Sequence, residues 1–207
     1  MRAGERLVAT DGKEVCLFPC EAMYITDGSG EHGVLALDFL PRTTTGMVIT
    51  HMACYAPFSG KIVYTGHDNN CILESNDKVH MPDGSLAYAR VLVAHNDLPS
   101  ILGTTYVQGQ QFYTTGNYGL STGEHLHMEI ASVDDKSLQY WNTGGIGLYN
   151  AIHMWNGMYV NDTVLLQDND YNWQIYEQGR EIDKKSHFKW VLYGRKFRER
   201  RRKNGLI

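Results

Sequence analysis

Short hydrophobic runs recur along this chain, and Gly, Asn, Asp and Pro clusters separate them. Runs at Val15–Phe18, Val34–Phe39, Met47–Ala53, Gly60–Tyr64, Asn70–Glu74, Ala87–Ala94, Gln111–Tyr113 and His125–Ile130 are the expected strands. Gly66-His67-Asp68-Asn69-Asn70 and Pro82-Asp83-Gly84 supply turn chemistry between them. Such spacing predicts a mainly β fold built on an antiparallel sheet. Pro99 to Gly103 reads as a short helical turn.

The last of these runs carries the most chemistry. Ser121-Thr122-Gly123-Glu124-His125-Leu126-His127-Met128-Glu129-Ile130-Ala131 sets histidines two residues apart in an alternating segment, so both imidazoles point to one face of a strand. A rigid pair of neutral imidazoles suits a divalent ion such as Zn²⁺, although two ordinary histidines on a strand produce the same pattern. Upstream, Gly30-Glu31-His32-Gly33-Val34-Leu35-Ala36-Leu37-Asp38-Phe39 adds a histidine and a carboxylate around an apolar run, and Val91-Leu92-Val93-Ala94-His95 ends another run in a third histidine. A catalytic zinc site keeps about three protein ligands and one open position. His32, Asp38 and His127 make such a set, with His95 and His125 beside it.

In this order the residues resemble the lysostaphin-like (LytM-type) zinc metallopeptidases, which cut peptide bonds of bacterial peptidoglycan. The Ser-Thr-Gly-Glu-His-Leu-His-Met-Glu element carries most of the likeness. Ala56-Pro57-Phe58-Ser59-Gly60-Lys61-Ile62-Val63, lying between the two metal clusters, adds to it, and the match spans roughly residues 28 to 132. The resemblance implies a Zn²⁺ cofactor held by His32, Asp38 and His127. It implies His95 and His125 as catalytic groups, one accepting a proton and one stabilising an oxyanion, with the assignment left open. Glu129 shares the strand parity of His125 and His127, so it either orients an imidazole or faces water. Tyr106 and Tyr118, with Tyr113, Tyr140 and Trp141, are candidates for the substrate groove or for ordinary packing.

One spacing departs from the family pattern. His32 and Asp38 are six residues apart where four is usual. Fully extended, six residues span roughly 20 Å, so a shared ion requires His32 on a loop folded back by Gly28, Gly30 and Gly33. The alternatives are His51 as first ligand, or none. His67, His80, His153 and His187 have no partner at a recognisable spacing and are left out of the site.

The chain has 207 residues, 43% of them hydrophobic, enough for a core, and no apolar run approaches the roughly 20 residues of a membrane span. Met1 to Leu7 is polar and lacks a following apolar core, so no secretory signal is expected. A wall hydrolase of that kind fits a bacteriophage protein, found in the virion tail or in the host cytoplasm before release. Cys16, Cys20, Cys54 and Cys71 do not form a zinc ribbon and are expected as free thiols, with a disulfide or a second metal site as alternatives.

Residues 1–27 read as an N-terminal strand or arm packing on the domain, 28–132 as the metallopeptidase core, and 133–207 as a short irregular or helical extension. Asn150–Trp155 and Val160–Leu166 in that extension are expected to pack back on the domain or on a neighbour. The segment Arg195–Lys203 carries +6, leaving −10 for the rest of a chain whose net charge is −4. Such a tail either docks on an acidic partner, such as another virion tail subunit, or is merely solvated; nucleic acid is the less favoured partner. Three functions follow: a zinc-dependent peptidoglycan endopeptidase, tail-mounted or an endolysin; a virion structural protein retaining the fold without activity; and, ranked last, a biotinyl or lipoyl carrier hairpin at Ala56–Val63.

Overall fold

A computed structural model describes residues 1–20, 22–27, 35–41, 47, 49–82, 84–145, 147–152, 164–167 and 173–176. Strands are β1 (Ala22–Asp27), β2 (Leu37–Pro41), β3 (Ala53–Tyr55), β4 (Gly60–Thr65), β5 (Cys71–Ser75), β6 (Val79–His80), β7 (Leu86–Ala94), β8 (Thr105–Tyr106), β9 (Gln111–Thr114), β10 (Leu126–Val133), β11 (Ala151–Ile152), β12 (Val164–Gln167) and β13 (Trp173–Tyr176). The main sheet runs in the order β13-β12-β1-β2-β10-β7-β5-β4-β8, with β11 on β10 and β6 on β7, while β3 and β9 form a separate pair. All of these pairings are antiparallel except β1 with β12. Among the described residues the helical segment is a 3₁₀ turn at His67–Asn69.

The central strands β7 and β10 are buried on both faces. On one face Val91, Val93, Leu126, Met128 and Ile130 pack with Leu73 and Ile62 against Phe18, Phe39 and Phe58. Phe18 and Phe39 meet edge to face at 5.6 Å between ring centroids, a favoured aromatic geometry. On the other face Ile72, Leu92, Ala131 and Leu148 pack with Tyr64, Tyr140 and Trp141. This second apolar layer covers only part of its face; the remainder, toward the C-terminal end of β7, carries the polar residues of the site.

Pairing runs through all three segments read from the sequence: β1 is hydrogen-bonded to β2, β11 to β10, and β12 to β1. Residues 153–163 and the basic Arg195–Lys203 lie outside the described residues. Three local expectations are corrected. Val15–Phe18 makes an isolated bridge from Val15 to His80 and buries its side chains without forming a strand. The run at Met47–Ala53 gives strand only from Ala53, because His51 has a left-handed φ of 52° that breaks extension. Pro99–Gly103 is not helical: the Thr104 N–H donates to the Ile101 carbonyl at 3.2 Å, with Gly103 at φ 86°, closing a turn.

All four cysteines are free and buried, in the core on the face of Phe18 and Phe58. Burial pushes the thiols of Cys54 and Cys71 up to about 12 and about 11, and that of Cys16 well above the ordinary range. The native protein is therefore expected to leave a thiol-reactive disulfide dye almost unreacted at pH 8, with all four thiols titrating on unfolding.

Among the described residues Arg90 is the largest fully buried side chain. Its Nε donates to Glu74 at 2.8 Å, and Nη1 and Nη2 donate to the carbonyls of Gln139 and Lys136, both at 2.9 Å. The guanidinium lies 4.6 Å from the centre of the Tyr140 ring, so one side chain clamps the 136–140 segment to the sheet. Arg90→Met strands a buried carboxylate and two carbonyls, and thermal or urea melts are expected to show a loss of about 3–5 kcal/mol. Glu74→Leu in the same chain should restore part of it.

Candidate metal centre

The site begins with strand register. β10 lies between β2 and β7, with His127 opposite Asp38 on one side and Ala94 on the other. Alternation then puts His127, Glu129 and Ala131 on the face of Leu92 and Tyr64, and Leu126, Met128 and Ile130 in the phenylalanine core. Beyond the apolar layer this face opens into a groove of about 690 Å³ lined by Asp38, His95, His125, His127, Glu129 and Trp141, among others. His125 precedes the strand and is held by a bridge to Gly116, its N–H donating to the Gly116 carbonyl at 3.2 Å.

Asp38 faces both histidines of the pair. Its Oδ1 lies 3.0 Å from His127 Nδ1, and its Oδ2 lies 3.4 Å from His125 Nε2. Two donors on a tetrahedral zinc at about 2.0–2.1 Å stand about 3.3 Å apart, so the Asp38 and His127 atoms fit neighbouring positions around one ion. The far nitrogen of His127, Nε2, lies 3.5 Å from Glu129 Oε1, and the other oxygen of Glu129 accepts the Leu148 N–H at 2.7 Å. Burial works against an imidazolium at His127, but Asp38 and then Glu129 more than offset it, pushing the group up to about 9. Among the described residues no group of three or more His, Cys, Asp and Glu side chains converges on a metal position. His32, the third residue of the expected set, lies outside the described residues.

His95 reaches this groove by a backbone device. Strand alternation would send it to the face opposite Ala94, but β7 ends at Ala94 and His95 takes a left-handed φ of 73°. Its ring then lies 4.7 Å from that of His125 and 6.0 Å from that of His127, centroid to centroid. The conformation is held from several sides. The His95 N–H donates to the Asp68 carbonyl at 2.9 Å, its carbonyl accepts from the Tyr118 N–H at 3.1 Å, and its Nδ1 meets the Tyr118 carbonyl at 2.9 Å. A Cβ on Gly116 would stand 2.5 Å from the His95 carbonyl oxygen, and one on Gly119 would stand 2.0 Å from Asp68 Oδ1, so both positions require glycine. Burial holds the His95 imidazolium below its usual range; the Tyr118 carbonyl opposes this, and His125 and His127 reinforce it. Since Nδ1 must donate to the carbonyl, the lone pair of neutral His95 sits on Nε2.

His51, the alternative first ligand, is exposed and pairs its Nδ1 with Asp97 at 3.0 Å, while its N–H donates to the Glu124 carboxylate. It is not among the groove residues. Tyr106 packs beside Phe112 on the phenylalanine core, and Tyr118 bonds to His95 through its main chain, so neither ring lines the groove. Tyr113 is buried, its hydroxyl donating to the Ala94 carbonyl. The aromatic wall is formed by Trp141 and Tyr64, edge to face at 5.1 Å. His67 was left out of the site by sequence and nevertheless lines the groove with Asp68, because the 3₁₀ turn carries them there. The signal lay in Asp68 and Asn69, both with positive φ in a short turn cluster. His80 pairs with Asp11 at 3.0 Å; His153 and His187 lie outside the described residues.

No protein-family model matches the chain. It is similar to morphogenesis protein 1 of Bacillus phage B103, 24% identical over 171 residues that cover 79% of this chain and 45% of that protein. The chain thus spans less than half the length of that relative. Solved structures that it resembles include M23 peptidases. They include the catalytic domain of the antimicrobial peptidase lysostaphin from Staphylococcus simulans, with 22% identity, TM-score 0.35, and coverage of 56% of this chain and 79% of that one. They also include the M23 metalloprotease pseudoalterin from the deep sea, with 14% identity, TM-score 0.46 and coverage of 80% and 92%. The catalytic domain of the prophage-encoded M23 protein EnpA from Enterococcus faecalis gives 15% identity, TM-score 0.38 and coverage of 53% and 81%.

His127 sits about 9 in the folded chain against an ordinary 6.5, so proton binding there favours the fold. That stabilisation is complete below about pH 6.5 and is lost as pH rises through about 9. The melting temperature of metal-free protein should fall between these limits, and His127→Asn should flatten the slope. An unchanged slope in that variant would contradict the assignment.

Proposed function

We propose that this chain is a zinc-dependent endopeptidase of bacterial cell-wall peptidoglycan, phage-encoded and mounted on the virion tail. The observation that carries the proposal is that the Asp38 carboxylate faces both His125 and His127, with the His95 ring 4.7 Å from His125, in one open groove. A structural histidine pair needs neither a carboxylate facing both rings nor a third imidazole turned inward by a left-handed backbone.

Asp38 and His127 would hold the zinc, with His32 as the third ligand. When bound, the ion supplies a Lewis acid that polarises the scissile carbonyl and acidifies water. The chain's own groups manage the protons and the peptide. His95, its Nδ1–H fixed on the Tyr118 carbonyl, offers Nε2 to take the proton of the attacking water. His125, anchored by Nδ1 to the Gly123 carbonyl at 2.7 Å, carries its second nitrogen beside Asp38. From there it donates to the developing oxyanion or the departing amine. The wall of Tyr64 and Trp141 bounds the groove and holds the peptide against the row of Asp38, His127 and Ala94.

The virion placement draws on the likeness to a phage morphogenesis protein and on the basic segment Arg195–Lys203, which suits contact with neighbouring tail subunits. An endolysin would use the same chemistry. A second reading, a virion component that keeps the fold without turnover, is favoured by the six-residue separation of His32 and Asp38.

Zinc content measured after washing in metal-free buffer, beside turbidity clearing of purified walls, tests the proposal. The expected result is about one zinc per chain, and clearing that a chelator abolishes. His127→Ala should lose zinc and clearing together. His95→Ala should keep zinc while turnover falls by about 10²–10⁴-fold. Zinc without clearing on several wall chemistries would support the second reading, and protein without zinc would remove the first.

A further inference from the structure

Two buried side-chain oxygens among the described residues accept no hydrogen bond, Asn70 Oδ1 and Glu129 Oε1, and both residues line the groove. Glu129 is 1% exposed, and a buried carboxylate oxygen without a donor is costly. Its partner oxygen, Oε2, is engaged by the Leu148 N–H at 2.7 Å. The group facing Oε1 is His127 Nε2, at 3.5 Å.

Leu148 is buried behind the groove wall, packed with the cluster that Tyr64 and Trp141 cover. It bridges to Trp141, and the Tyr149 N–H donates to the Tyr140 carbonyl at 2.9 Å, so residues 140–142 and 147–149 are hydrogen-bonded to each other. Arg90 clamps the segment just before it, at Lys136 and Gln139. Glu129 is therefore the tether at the Leu148 end, and it touches His127 with the same carboxylate.

We propose that Glu129 is a positioning residue that couples the aromatic wall to His127: one oxygen holds Leu148, and the other fixes the imidazole so that Nδ1 presents its lone pair beside Asp38. A carboxylate only accepts, so it selects the tautomer with hydrogen on Nε2. An amide of the same shape would still accept from Leu148 with its oxygen. Its NH₂ would then face Nε2 and favour hydrogen on Nδ1, the atom needed for the ion. The inference rests on the zinc site of the proposed function.

Glu129→Gln separates the two tethers. Zinc affinity is measured by competition with a chromogenic chelator, and the wall by hydrogen exchange of the Leu148 amide. The variant is expected to bind zinc about 10–100-fold more weakly while Leu148 stays as protected as in the parent; Glu129→Ala should lose both. Zinc affinity within about twofold of the parent in Glu129→Gln would overturn the coupling, and so would weakened binding accompanied by rapid Leu148 exchange. Independently of any variant's folding, the zinc-loaded parent should show a slowly exchanging His127 Nε2–H signal in ¹⁵N-edited spectra, and its absence would also overturn the proposal. A parent that binds no zinc, or a His127→Ala variant that binds it as tightly, would instead refute the metal site itself.

Discussion

The groove depends on the register of β10 between β2 and β7. Pairing His127 with Asp38 on one side and Ala94 on the other brings a carboxylate beside the imidazole and leaves a small side chain next to it as floor. A slip of one residue would turn His127 and Glu129 into the phenylalanine core and Met128 into the groove. Burial of Leu126, Met128 and Ile130 opposes that slip, so the hydrophobic alternation of the strand fixes its chemistry.

The two sheet faces divide the labour. One is a closed apolar layer carrying Phe18, Phe39, Phe58 and the cysteines. The other is only half covered, and charged side chains fasten its cover. Arg90 and Glu129 are both nearly inaccessible, and both bond to main-chain atoms of the 136–148 segment. Loops complete the opposite rim. Asp68 receives the His95 N–H on its carbonyl and the Leu120 N–H on its carboxylate, the latter at 3.2 Å. Glu124 receives the Thr115 hydroxyl at 2.7 Å. The histidines thus sit where rigid strands meet loops tied by specific bonds, as a preorganised site requires.

Strand positions and the His125/His127 pair were legible because alternation is a local property of the sequence. Asp38 was legible for a different reason, its place in a motif order resembling a known family, since its pairing with His127 spans 89 residues and no local signal encodes it. His95 was found from the same order, yet the left-handed turn that aims it inward has no sequence signature beyond a polar residue ending an apolar run. His67 and Asp68 were missed because a turn cluster reads as punctuation until its neighbours are known. For Tyr106 and Tyr118 the sequence left groove and packing both open, and the structure places one against the core and bonds the other to His95 through its main chain. The true wall, Tyr64 with Trp141, joins residues from distant parts of the chain.

The central claim is that Asp38 and His127 share one zinc ion with a further histidine. X-ray absorption at the zinc edge of the loaded protein tests it directly. The account predicts a four-coordinate shell of nitrogen and oxygen at about 2.0–2.2 Å, with imidazole scattering from about two histidines, and loss of part of that imidazole signal in His127→Ala. A shell containing sulfur at about 2.3 Å, or a spectrum unchanged in His127→Ala, would contradict it.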